Sequence, residues 1–196
     1  MPPQSEAPRF ALILAGGGAR RLGGVDKGAV KLAGRRLFDH VLARLSPQAD
    51  QILISGAHDY GSGLPVITDR EDGPRGPAAG LWAMQVWLRA HLENSEGFLS
   101  VPVDGPFVPL DLYKRLHSSA HSSIACDATG AQPTFSYWKC GALRTVLAGA
   151  LENHGYPLKE LAESVNAKRI MFDEPGVFEN INTPEDLQRA EARLST

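Results

Sequence analysis

The segment Leu14-Ala15-Gly16-Gly17-Gly18-Ala19-Arg20-Arg21-Leu22-Gly23-Gly24-Val25-Asp26-Lys27 concentrates the groups that hold a polyphosphate. Its glycines let the backbone turn sharply and bring several N–H groups against one anion. Arg20, Arg21 and Lys27 add positive charge to that cradle. Two familiar phosphate motifs are excluded. A Walker loop ends in Gly-Lys-Ser/Thr, whereas Lys27 lies between Asp26 and Gly28. A dinucleotide fingerprint counted from Gly16 needs Gly or Ala sixth, where Arg21 stands. The alternative is a flexible glycine turn with surface arginines.

A loop of this kind needs a strand before it and helices around it. Phe10 to Leu14 is a short apolar run between Pro8 and the glycines, as in a buried parallel strand. Further strands are expected at Gln51–Ser55, Leu64–Thr68, Phe98–Val103 and Arg169–Phe172. Two short strands are expected within Ile124–Tyr137, around Thr129-Gly130. Helical patterns cover Leu37–Leu45, Pro77–Leu92, Pro109–Ser118, Leu143–Leu151 and Leu158–Val165. A last helix is expected to begin at Thr183 as N-cap, with Pro184 in the first turn and Asp186 completing a capping box. The alternation predicts one α/β domain: a three-layer α/β/α sandwich on a mostly parallel, Rossmann-like sheet. Such sheets bind ligands beyond the carboxyl ends of their strands. Residues 1–9 read as a flexible terminus, 10–108 as a nucleotide-binding half and 109–196 as an acceptor-binding half.

Composition narrows the function. A net charge of -2 over 196 residues argues against a general nucleic-acid binder. No apolar run suits a membrane span, and the first nine residues lack a signal-peptide core. Cys126 and Cys140 are too few for a disulfide framework and read as free thiols in a cytoplasmic protein. There is no Gly-x-Ser-x-Gly elbow and no His-Glu-x-x-His. His40 reads as a packed or capping residue, and His117 and His121 as a solvated helix end. Trp82, Trp87 and Trp138 read as core or interface.

The glycine-rich segment resembles the signature of the pyrophosphorylase-like nucleotidyltransferases, whose fold is that of the nucleotide-diphospho-sugar transferases. Gly23-Gly24-Val25-Asp26-Lys27 is most similar to the molybdenum cofactor guanylyltransferases. Three further segments carry the resemblance in order: Arg75-Gly76-Pro77-Ala78-Ala79-Gly80-Leu81, Pro102-Val103-Asp104-Gly105-Pro106-Phe107 and Phe178-Glu179-Asn180-Ile181-Asn182-Thr183-Pro184-Glu185-Asp186-Leu187. The resemblance implies transfer of GMP from GTP to molybdopterin, with Mg²⁺, or Mn²⁺ in its place, as the metal. Close rivals are cytidylyl transfer to the same or another phosphorylated acceptor, and a non-catalytic nucleotide or cofactor carrier. Molybdoenzyme chaperones and other cofactor-biosynthesis proteins are the implied partners, with neither nucleic acid nor membrane.

In such a reaction the protein positions reactants and neutralises charge. Mg²⁺ needs a carboxylate, and Asp104 follows an apolar strand at the ligand-binding edge. Its alternative is a turn aspartate before Gly105-Pro106. Lys27 and Arg21 would stabilise phosphate charge; otherwise they are a solvated basic loop. The resemblance assigns nucleotide contacts to Leu14, Ala15, Gly16, Gly17, Ser55, Asp69, Gly76, Pro77 and Gly80, beside Lys27 and Asp104. Asp69 could equally be a solvated loop residue beside Arg70. Ser55 stands where the family often has Asn. Acceptor contacts fall to Gln132, Pro133, Asn180 and Asn182, although the two asparagines could instead cap the last helix. Where the family often carries Gly-Arg-Arg, this chain has Gly155-Tyr156-Pro157-Leu158-Lys159, leaving Lys159 or Lys168 as substitutes.

Overall fold

Along the first strand, Phe10, Leu12 and Leu14 enter one apolar cluster, while Ala11 and Ile13 enter another. This period of two places the strand between two cores. The computed structural model describes residues 7–16, 26–71, 73–92, 95–150 and 156–195. In chain order the elements are β1 (Phe10–Leu14), β2 (Lys31–Leu32), β3 (Arg35–Arg36), α1 (Leu37–Leu45), β4 (Gln51–Ser55), β5 (Val66–Ile67) and α2 (Pro77–His91). There follow β6 (Gly97–Pro102), α3 (Leu112–His117), β7 (Ser123–Asp127), β8 (Gly130–Lys139), α4 (Cys140–Ala150), α5 (Leu158–Ser164), β9 (Lys168–Met171) and α6 (Pro184–Leu194).

Among the described residues, seven strands form one sheet in the order β5-β4-β1-β6-β8-β7-β9. β8 runs antiparallel to both neighbours, and the other strands share one direction. Residues from α1 and α3 fill the core on one face, and those from α2, α4 and α5 the core on the other. The expected three-layer architecture is therefore present. A third cluster joins Leu32, Leu37, Phe107, Ile181 and Ala190, which ties α6 to the β2–β3 hairpin.

Local details follow from residue type. Thr183 caps α6 in a full capping box with Asp186, and Pro184 occupies the first turn. β8 is a ten-residue strand, longer than the short strand expected, because a bulge opposite Ile124/Ala125 absorbs Pro133 without ending the pairing. The β2–β3 hairpin is unanticipated. It turns on Ala33 and Gly34, at φ of 49° and 80°, the left-handed pair that a tight hairpin requires. No helix among the described residues is long and apolar enough to cross a membrane.

Candidate active site

β1 and β4 end side by side at Leu14 and Ser55. The Ala15 N–H extends the ladder by donating to the Ser55 carbonyl at 2.8 Å. Gly76, at φ 72°, turns the chain into α2, and Pro77 takes the first helical position. These ends enclose a cleft of about 290 Å³ lined by Leu14, Gly16, Ser55, Asp69, Gly76, Pro77 and Gly80. All seven belong to the expected nucleotide-binding set. Ala15 lies on the same strand end. Gly17 and Arg21 lie outside the described residues.

The cleft depends on the absence of a side chain at Gly80. A Cβ there would stand 2.4 Å from Ser55 Oγ, 3.0 Å from Ser55 Cβ and 3.1 Å from Leu14 Cδ2. We expect Gly80→Ala to weaken GTP binding about tenfold by forcing α2 off β4. Ser55→Ala, which deletes the nearest atom, should recover part of that loss. Titration calorimetry on the single and double variants checks both effects, and equal loss in the double variant would contradict the steric account.

Asp69 stands at the cleft rim, where desolvation raises its carboxyl pKa above the usual value. The sign of the consequence is fixed. Below the unfolded-state pKa the group is neutral in both states and costs nothing. As pH rises through the folded pKa, that stability is lost. We therefore expect Asp69→Asn to melt slightly above wild type at pH 7, with the difference vanishing near pH 3. Melts at the two pH values test it; an advantage that grows toward pH 3 would reverse the sign. The side chain retains solvent contact, so the gain is small.

Beyond the cleft, Lys27 Nζ donates to Asp104 Oδ2 at 2.6 Å and to Asn182 Oδ1 at 2.5 Å. Asp104 is the better buried partner, with a side chain 13% exposed against 26% for Lys27. It follows β6, and its carbonyl accepts from Ile181 N–H at 2.8 Å. Three separate segments thus converge. Asn180 Oδ1 is buried without a hydrogen-bond partner among the described residues. It lies 3.2 Å from where a Cβ of Gly105 would be, and Phe135 Cζ lies 2.5 Å from the same point. Phe135 is fully buried, so its ring cannot yield. Gly105→Ala should cost about 1–3 kcal/mol by overpacking and displace Asp104, read as a lower denaturation midpoint together with slower turnover. An unaltered midpoint would show that the ring is less confined than this.

Asp104, Asn180 and Asn182 bring carboxylate and amide-carbonyl oxygens, the ligand type of a hard divalent cation. Asn180 Oδ1 is an orphaned acceptor that such an ion would satisfy. No group of three or more His, Cys, Asp or Glu suited to a metal occurs among the described residues. One carboxylate with substrate phosphates and water is how Mg²⁺ is commonly held, and the site fits it.

The expected acceptor set divides. Asn182 joins the Lys27–Asp104 cluster and Asn180 borders it. The Asn182 backbone N–H donates to Asp186 Oδ2 at 2.9 Å, so this residue also borders the α6 cap. Gln132 and Pro133 lie on the neighbouring β7–β8 hairpin. The Gln132 amide donates to Thr129 Oγ1 at 2.9 Å and to Asp127 Oδ1 at 3.3 Å, bracing its own turn. The Pro133 carbonyl accepts from Ser136 Oγ.

Lys168 cannot replace the missing arginines. It opens β9 opposite Ser123, the first residue of β7, and so lies at the amino edge of the sheet. Lys159 is exposed in the first turn of α5, and Gly155 lies outside the described residues. His40 Nε2 lies 3.0 Å from the Leu32 carbonyl, in keeping with a packed role. His117 is more than a solvated helix end: it stacks on Tyr113 and meets Tyr137 edge-on. Trp138 is fully buried, donating to Ser100 Oγ. Cys126 and Cys140 are free thiols.

Sequence reasoning passed over Tyr60. Its hydroxyl donates to Asp26 Oδ1 at 2.8 Å. Only the neighbouring motif residues Asp26 and Lys27 hinted at it.

Comparisons with known proteins agree with this fold. Residues 11–168 match the MobA-like NTP transferase domain. A molybdenum cofactor guanylyltransferase of Rhodopseudomonas palustris (strain BisB5) is 36% identical, covering 97% of this chain and 96% of the relative. Its namesake in Cereibacter sphaeroides (strain ATCC 17029 / ATH 2.4.9) is 38% identical, covering 94% and 96%. Among solved structures, the molybdopterin-guanine dinucleotide biosynthesis protein A of Archaeoglobus fulgidus superposes with a TM-score of 0.74 at 25% identity, covering 95% of this chain and 98% of that one.

Proposed function

This chain belongs to the MobA-like NTP transferase family, and we propose that it transfers GMP from GTP to molybdopterin, releasing pyrophosphate. The observation that carries the reading is the juxtaposition at one sheet edge. A cleft lined by seven expected nucleotide contacts opens beside a lysine–aspartate–asparagine cluster suited to phosphates. Relatives 36% and 38% identical over nearly the whole chain bear the guanylyltransferase name.

In the proposed reaction an oxygen of the molybdopterin phosphate attacks the α-phosphorus of GTP. The bond from that phosphorus to the α,β-bridging oxygen breaks, and pyrophosphate leaves with its electron pair. The products are molybdopterin guanine dinucleotide and pyrophosphate. The chain's own contribution is positioning and charge. The base and ribose lie along Leu14, Ala15, Gly16, Ser55 and the Gly76–Gly80 turn, with Asp69 at the rim. Lys27 draws the phosphates toward Asp104, and its ammonium offsets charge that builds on the departing pyrophosphate. Arg21 adds to this in the proposed scheme. Asp104, with Asn180 and Asn182, would hold Mg²⁺, which when bound neutralises phosphate oxygens as a Lewis acid. Asn182 also orients the acceptor phosphate, while Gln132 and Pro133 form the outer wall for the pterin. The reading places the protein in the cytoplasm, with molybdoenzyme chaperones receiving its product.

The test is acceptor-dependent pyrophosphate release with Mg²⁺, comparing GTP, CTP and ATP. Release with GTP and little with the others supports the reading. Release with CTP keeps the mechanism but changes the base, and no release despite GTP binding removes the enzymatic role.

A further inference from the structure

Lys27 can bridge Asp104 and Asn182 only if the turn that carries it is held still. That turn, Lys27–Ala29, is a three-residue 3₁₀ turn, too short to be fixed by its own hydrogen bonds. Asp26 caps it, and Asp26 Oδ1 accepts twice: from Gly28 N–H at 2.9 Å and from the Tyr60 hydroxyl at 2.8 Å. Tyr60 is itself fixed from several sides. Its ring stacks on Phe38 with centroids 4.4 Å apart and planes 22° from parallel. Its carbonyl accepts from Arg36 Nη1 at 2.8 Å, and Arg36 grips Asp39 through two bonds of 2.7 and 2.8 Å. The Tyr60 backbone is left-handed, at φ 54°, a conformation a tyrosine holds only where its surroundings impose it.

Gly28 completes the fit. A Cβ there would stand 2.6 Å from Tyr60 Cζ and Oη and 2.7 Å from Cε1. The turn therefore lies flat against the phenol ring. Burial and the adjoining Asp26 carboxylate push the Tyr60 hydroxyl well above its ordinary pKa, so it stays a donor across the neutral range. None of Tyr60, Phe38, Arg36 or Asp39 lines the nucleotide cleft. Simple packing would account for the ring on Phe38. It does not account for a half-buried hydroxyl aimed at the residue next to the phosphate-binding lysine.

We propose that Tyr60 is a positioning residue: through Asp26 its hydroxyl holds the Lys27 ammonium on Asp104 and Asn182, and so sets the rate of transfer rather than the binding of GTP. The inference rests on the role given to Lys27 above.

Tyr60→Phe keeps the ring against Phe38 and Gly28 and removes only the donor. We expect kcat to fall about tenfold, while KM for GTP changes less than about twofold. In a Lys27→Ala background the same substitution should slow turnover by less than about twofold, since the two act in series. Asp26→Asn, which retains the Oδ1 acceptor, should stay within about threefold of wild type, and Asp26→Ala, which also loses the Gly28 cap, should slow turnover at least as much as Tyr60→Phe. Equal slowing by Tyr60→Phe in the wild-type and Lys27→Ala backgrounds would overturn the proposal, as would a loss confined to thermal stability. A second measurement needs no turnover. With lysines labelled with ¹³C at Cε, the Lys27 signal is assigned by its loss in Lys27→Arg. Tyr60→Phe should shift or broaden that signal and leave the other lysines alone, and an unchanged Lys27 signal would overturn the proposal. Wild-type protein without GTP turnover would instead count against the guanylyltransferase reading, while the NMR arm still decides whether Tyr60 holds Lys27.

Discussion

Asp104→Ala should slow GMP transfer by about 10³-fold, a loss of several kcal/mol of transition-state charge stabilisation. The reason lies in where the carboxylate stands. It follows β6, it is nearly buried, and it faces Lys27 Nζ at 2.6 Å beside the nucleotide cleft. Every role proposed for the site, from holding Mg²⁺ to locating Lys27, passes through it. The fold should tolerate the change. The Asp104 carbonyl, and not its side chain, accepts from Ile181 N–H, so the link to the last segment survives. Lys27 retains partial solvent contact and Asn182. A variant that melts within a few degrees of wild type but turns over at more than about a tenth of its rate would remove Asp104 from the mechanism.

Lys27→Ala comes second, with kcat lowered by about 10²–10³-fold, the range for losing one well-aimed donor to a developing anion. Lys27→Arg should not restore activity. A compact ammonium can stand 2.6 Å from one oxygen and 2.5 Å from another; a bulkier planar guanidinium on a shorter methylene stem spreads its donors differently. A further sign separates this variant from Asp104→Ala. With the ammonium gone, Asp104 no longer shares its charge, so the Mg²⁺ concentration needed for half-maximal rate should fall. In Asp104→Ala it should rise. Titrating Mg²⁺ against rate for both variants reads this directly, and a parallel shift in the two would mean that Lys27 and the metal do not share the carboxylate.

The parts of the molecule legible in the sequence are those fixed by local pattern. Phe10–Leu14 alternates between two cores and is bounded by Pro8 and the glycines, so the strand declares itself. The α6 cap is readable because Thr183, Pro184 and Asp186 interact within four residues. The seven cleft residues are ones that the family resemblance assigns to the nucleotide; they fall together because they sit at strand ends and at the start of α2, and a parallel sheet gathers such ends at one edge.

What escaped depends on contacts between residues distant in the chain or on unusual backbone. The β2–β3 hairpin turns on Ala33-Gly34, where Ala at positive φ offers none of the usual Asn-Gly or Asp-Gly signal. Tyr60 meets Asp26 across 34 residues, and Lys27 meets Asn182 across 155. No periodicity reports such pairs. Lys168 looked like a substitute for the absent arginines because spacing alone does not say which end of β9 faces the ligand; pairing with Ser123 does. The capping role weighed for Asn180 and Asn182 also proved too simple, since Thr183 caps α6 while Asn182 Oδ1 meets Lys27.

The central claim is that the cleft and the Lys27–Asp104–Asn182 cluster form one site for nucleotidyl transfer. The most direct measurement follows the two ends of the triphosphate separately, with GTP labelled at the α- or the γ-phosphorus and incubated with molybdopterin and Mg²⁺. The account predicts that α-label appears in the pterin product and γ-label in pyrophosphate, both dependent on the acceptor and both lost together in Asp104→Ala. Release of γ-label as orthophosphate, or α-label remaining in GTP or free GMP, would contradict it.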